Sequence, residues 1–150
     1  MKKINISITK QEIFHEVSLN TAYTSVKSDN PKAIFPRVAT IDEDSTILSR
    51  FWILACGTIT EKFRNLITVS STTGDNLALT LDVSGSFDDS LTESLKQDIF
   101  DALVAMVTAH WITLSLPEKS SEWQLQGSRL LESAYSKLYC RKRPTRNKLN

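Results

Sequence analysis

His15 and His110 are the two side chains of this sequence that ordinarily titrate near neutral pH, and proton transfer is the chemistry either would bring. His110 stands beside Trp111 in an apolar helical repeat, yet no other catalytic residue type keeps a fixed spacing to it. Both histidines therefore read as residues on helix faces, held by a backbone or side-chain partner. Asp42, Glu43 and Asp44 are ligand types for a hard cation, but successive helical residues point in different directions and do not converge on one ion. At a helix start they complement the positive pole instead, as do Asp88 and Asp89 ahead of Ser90. Cys56 and Cys140 are distant in sequence, each inside a helical pattern. They read as reduced, partly buried thiols, since a zinc site needs clustered Cys and His. Thr73-Gly74-Asp75-Asn76 lacks the glycine spacing and the lysine of a phosphate loop, and four glycines in all exclude a glycine-rich cofactor fingerprint. No catalytic, cofactor-binding or metal-ligating residue is expected, and the chain is not expected to be an enzyme.

What remains is charge. The net charge is +1, but six of the 18 basic residues (Lys137, Arg141, Lys142, Arg143, Arg146 and Lys148) lie beyond Ser136 with no acid among them. The other 12 face all 17 acids, so the body is −5 and the end +6. Such asymmetry suggests a tail that contacts something negative, through Arg141, Lys142, Arg143, Arg146 and Lys148. As a nucleic-acid contact it would bind phosphates with little sequence preference. As a protein contact it would lie on the acidic body of a neighbouring copy. Aromatics near it are limited to Tyr135 and Tyr139, which favours protein over single-stranded nucleic acid.

A chain of 150 residues, 41% hydrophobic and 23% charged, suits one domain with one core. No apolar run approaches a membrane span, and the N-terminus lacks the apolar core of a signal peptide, so the chain is expected in the cytosol or in a particle built there. Ile4, Ile6 and Ile8 alternate with polar residues, predicting a short strand or extended arm. Thr9-Lys10-Gln11-Glu12 is a capping box that opens a helix carrying Ile13, Phe14 and Val17. Lys27 to Thr40, with Pro31 and Pro36, reads as an extended connection. A second helix follows Asp42-Glu43-Asp44-Ser45 and runs to about Arg64, with a stripe of Ile47, Leu48, Phe51, Leu54, Ala55, Thr58, Ile59 and Phe63; Trp52 broadens it toward a second surface.

Leu66–Val69 and Leu77–Val83 read as a β-hairpin around the turn chemistry of Ser70 to Asn76, to be packed or completed by another strand. Ser90-Leu91-Thr92-Glu93 is a second capping box. The helix it opens is apolar on most sides and central, with Leu103, Val107 and Trp111 facing the core. After a Pro117–Ser120 linker a last helix, starting near Ser121-Glu122, packs antiparallel to it, and Pro144 stops the helical pattern. Gly57 and Gly127 suggest close helix approach. The fold class is α+β, mainly α: an antiparallel helical bundle with a hairpin inserted at about 66–83 and an extended N-terminal arm. Residues 1–140 form the single domain and 141–150 the basic tail.

This order of elements resembles the head–tail connector (adaptor) proteins of tailed bacteriophages. The residues behind it are Asp42-Glu43-Asp44 with Leu48 and Phe51, the segment Leu66 to Val83, and Leu95 through Tyr139, together spanning Ile41 to Arg143. Met1 to Asp29 and the Pro31–Pro36 segment go beyond that pattern. The resemblance implies a structural virion protein, a ring-forming homo-oligomer in the neck, contacting itself and neighbouring portal or tail components. The particle would be assembled in the host bacterial cytoplasm, with non-specific DNA contact and no membrane partner. No family site residue carries over. The alternative reading is a small nucleic-acid-binding protein that uses the basic tail. The hairpin is expected to make intermolecular contacts, so that a Gly-Ser loop in place of Ser70 to Leu81 would leave a folded monomer and weaken assembly.

Overall fold

Alternating isoleucines set the first element. The computed structural model describes residues 1–27, 39–72 and 74–146. Strand β1 spans Lys2–Thr9, with Ile4, Ile6 and Ile8 buried and Lys3, Asn5 and Ser7 facing out. Strands β2 (Ile67–Thr72) and β3 (Asn76–Val83) form the expected hairpin, and β1 completes it. The sheet is antiparallel in the order β1-β3-β2, and Ile4, Ile6 and Ile8 stand opposite Leu81, Leu79 and Leu77. This register puts both apolar sets on one face. The N-terminal segment is thus an edge strand and not an extended arm. β3 is the central strand, with Leu77, Leu79 and Leu81 at 0%, 1% and 0% exposure. Replacing Ser70 to Leu81 would remove that strand and unpair β1. The expected folded monomer is overturned on this ground.

Helix α1 (Lys10–Lys27) follows β1 directly and buries Ile13, Val17 and Thr21. The weak helix formers Thr21 and Thr24 are tolerated because their hydroxyls donate to the carbonyls of Val17 and Asn20, each at 2.9 Å. Pro31 to Pro36, and most of the connection expected around them, lie outside the described residues.

A single helical turn, Asp42–Asp44, leads into α2 (Ser45–Phe63), and the Asp44 carboxylate accepts from the Ile41 backbone N–H at 2.8 Å. The buried stripe is Leu48, Trp52, Ala55, Cys56, Ile59 and Phe63. It is rotated from the expected one. Trp52 is fully buried, while Ile47, Ile53 and Leu54 are exposed. Apolar residues flank both sides of this helix, so spacing allowed either face, and burying the indole removes the most apolar area from water.

Helix α3 (Thr92–Ser115) is the central element, packed against α1, α2 and α4. Its entry is held by Asp88, whose Oδ1 accepts from Ser90 N at 3.1 Å and Ser90 Oγ at 2.7 Å, in place of the expected Ser90–Glu93 box. By length and composition the helical stretch Asp89–Ser115 is apolar enough to cross a membrane, contrary to the sequence reading. In the fold, 61% of that apolar window is buried.

Helix α4 (Pro117–Lys137) begins at once, hinged on Leu116 alone. The expected Pro117–Ser120 linker is its first turn, because proline lacks only an N–H that a first turn leaves unbonded. Gly127 lies against Ala102 and Ala105 of α3, while Ser133 and Lys137 reach Asp98, so the two helices run antiparallel. A Cβ on Gly127 would stand 3.3 Å from Met106 Cγ, which is the close approach the glycine suggested. Gly57 has open space where its Cβ would be, so that expectation fails within this chain. One apolar cluster joins all four helices and the inner face of the sheet among the described residues.

Candidate interaction surfaces

The two histidines stay apart. The His110 ring stacks on Phe51 with centroids 5.3 Å apart, and burial pushes its pKa below the ordinary value. His15 lines a cleft of about 520 Å³ between α1 and the start of α2, together with Ser18, Asp42 and Ser45. The Ser18 hydroxyl donates to the His15 backbone carbonyl at 2.7 Å, and no hydrogen bond joins the side chains of His15, Asp42 and Ser45 among the described residues. No group of three or more His, Cys, Asp or Glu side chains there is placed to hold a metal ion.

Cys56 is buried in α2 and Cys140 is exposed just beyond α4; both are free. Only Cys56 matches the expected buried thiol. Desolvation pushes its pKa up to about 12, so near neutral pH the nucleophilic thiolate is scarce as well as inaccessible. Native protein with a chromogenic disulfide reagent at pH 8 is expected to release one equivalent rapidly. The second should appear only with denaturant, and the Cys140→Ser variant should lose the fast phase.

The basic residues of the C-terminal end divide. Lys137 is spanned by Asp98 and Ser94 at 2.5 and 2.6 Å. Arg141 forms an antiparallel bridge with Phe87, and Lys142 donates its backbone N–H to Ser86 at 2.9 Å. Asp88 in turn donates to the Cys140 carbonyl at 3.2 Å. The first two tail residues therefore belong to the fold. Lys142 Nζ lies 3.4 Å from Asp89, which also holds Lys2 at 2.6 Å. The Lys2 hydrogen bond, with Lys142 beside it, keeps the Asp89 carboxyl below its ordinary value. Arg141, Arg143 and Arg146 have exposed side chains with no ion pair among the described residues, and Lys148 lies outside them. Tyr135 and Tyr139 turn to each other, hydroxyls 3.1 Å apart.

Two further surfaces come only with the fold. On the outer side of α2, Ile53 and Leu54 are 59% and 50% exposed beside the open Gly57. A shallow cleft there is closed by Lys62, which pairs with Glu132 of α4 and sits over the Tyr135 ring. The second surface is a groove between α1 and α4. Its floor is Val104 and Ala105 of α3, and its walls are Glu16 and Asn20 on one side and Trp123 and Gln126 on the other. Asp101 opens onto it, and it continues past Tyr23 and Glu122 toward Lys119. Sequence reading missed this groove, because its residues come from three helices and share no local pattern. The strand β2 is exposed from Thr68 to Thr72, carries no charge, and pairs on one side only among the described residues.

The class defined by these elements is an α+β fold, mainly α, with a three-stranded antiparallel sheet. Compared with known protein families, curated proteins and solved structures, the chain matches none of them.

Proposed function

We propose that this chain is a structural assembly subunit, a ring-forming component of the head–tail connector of a tailed bacteriophage. The observation that carries the assembly reading is the outer face of α2. A glycine inside a helix costs about 1 kcal/mol relative to alanine. Gly57 has no packing partner among the described residues that accounts for it, and it lies beside exposed Ile53 and Leu54. A second copy packed closely over Gly57 accounts for all three. The connector setting rests on the order of elements alone, and it places the protein in the virion beside portal or tail components. Copies related head to tail close into a ring when the rotation between them closes.

The test is sedimentation of the wild-type chain from low to high micromolar concentration, beside Leu54→Arg. The wild type is expected to associate as concentration rises. The variant should remain monomeric with unchanged helix content and melting temperature, since Leu54 is half exposed and lies outside the buried stripe of α2. A wild type that stays monomeric throughout would sink the assembly reading.

A second reading, a small nucleic-acid-binding protein, is favoured by one observation: Arg141, Arg143 and Arg146 are exposed with no ion pair among the described residues. It requires DNA affinity that disappears when those charges are reversed.

A further inference from the structure

We propose that the groove between α1 and α4 receives the Arg143–Arg146 segment of a second copy of this chain. This rests on the assembly reading and names a second contact, beside the outer face of α2, that the assembly would need.

The groove is chemically suited to a guanidinium. Its narrower part has a volume of about 290 Å³. Glu16 and Asp101 border it, both half-buried, and neither has an ion pair among the described residues. Among the described residues Asp101 accepts a hydrogen bond only from the Gln97 side-chain amide, at 2.9 Å, which leaves acceptor capacity free. Half-buried Trp123 stands across from them. A planar cation that stacks on an indole while donating to carboxylates in a fork geometry is arginine rather than lysine. Of the lining groups in the narrow part, the two acids are charged and none is basic; Lys119 stands at the far end of the groove. The −5 body and +6 end of the sequence thus have a local expression.

The segment that offers arginines is also defined. Arg143 and Arg146 are exposed and have no ion pair among the described residues, and Pro144 between them disfavours helix. The chain is pinned just before them, where Lys142 bonds to Ser86. That pin lies beyond the C-terminal end of α4, whereas Trp123 stands about 21 Å from that end at 1.5 Å rise per residue. A fully extended chain covers at most about 3.5 Å per residue. Arg143, one residue past the pin, cannot reach the groove of its own chain. The pin and Trp123 therefore stand well apart along α4, and joining the arginine segment to the groove between copies gives a head-to-tail contact.

The experiment is sedimentation velocity on the full chain with two charge-reversed variants, Arg143→Glu/Arg146→Glu and Glu16→Lys/Asp101→Lys. Each alone is expected to associate at least tenfold more weakly than wild type, with unchanged circular dichroism. An equimolar mixture of the two is expected to regain association that neither shows alone, because each then meets its complement. Glu16→Gln/Asp101→Asn, which removes charge without reversing it, should weaken association as well and guards against misfolding of the lysine variant. If the reversed variants assemble like wild type, the groove is not the receptor, while the assembly reading stands. Loss in both without recovery on mixing overturns the pairing. A wild type that is monomeric at every concentration removes the assembly reading and this contact with it. Duplex DNA binding that the tail reversal abolishes, with sedimentation unchanged, overturns the proposal in favour of nucleic acid.

Discussion

Leu103→Ala is expected to lower the unfolding free energy by about 2–5 kcal/mol, the range for truncating a buried leucine in a core that cannot fully collapse. Leu103 is 0% exposed at the middle of α3, the helix that α1, α2 and α4 all touch. Truncation there removes apolar contact and leaves a cavity bounded by rigid elements, which is the circumstance that puts a site high in the range. Domains of this size are stable by roughly 5–15 kcal/mol, so the variant should lose a large share of its margin. Chemical denaturation measures it: the midpoint should fall while the denaturant slope is unchanged. An unchanged midpoint would mean that α3 does not present this face to the core.

Trp52→Ala should cost about 3–5 kcal/mol, and Trp52→Phe much less. The two substitutions separate volume from polarity. Trp52 is fully buried in α2, so alanine empties the space of an indole. Its Nε1, however, is buried without a hydrogen-bond partner among the described residues, and an unmade hydrogen bond of this kind costs about 1–3 kcal/mol. Phenylalanine keeps most of the apolar volume and removes the stranded donor, so its two effects oppose each other. Comparable losses for both variants would show that the indole nitrogen is satisfied. Small losses for both would place Trp52 outside the core.

The elements that were legible in the sequence are those with one strong period. Ile4, Ile6 and Ile8, the alternation of Leu77, Leu79, Leu81 and Val83, and the long apolar helix through Leu103, Val107 and Trp111 follow directly from where side chains must point. Other features were not legible, each for a physical reason. α2 is apolar on two sides, and only the fit of Trp52 into the core decides between them. Pro117 and Asp88 could stop or start a helix, and the choice depends on the hinge at Leu116 and the turn before α3. The partner of β1 lies far along the chain, and no local pattern encodes it. The cationic end was visible by composition, but not that Arg141 and Lys142 are bonded to the segment Ser86–Phe87. The groove was invisible, since Glu16, Asp101 and Trp123 meet only after α1 and α4 pack on α3.

The pairing of β1 with β3 has a consequence during synthesis. β1 leaves the ribosome ahead of its hydrogen-bonding partner β3, which follows it by about 75 residues. At roughly 5–20 residues per second, the strand waits on the order of 4–15 s with Ile4, Ile6 and Ile8 uncovered. In that interval it is a short β-prone segment able to pair with the same segment of a neighbouring nascent chain. Lys2 and Lys3 at its start are charges of the kind that oppose such pairing. Neutralising Lys3, which has no ion pair in the folded protein among the described residues, would therefore leave the finished molecule nearly as stable while lowering the yield of chains that reach it.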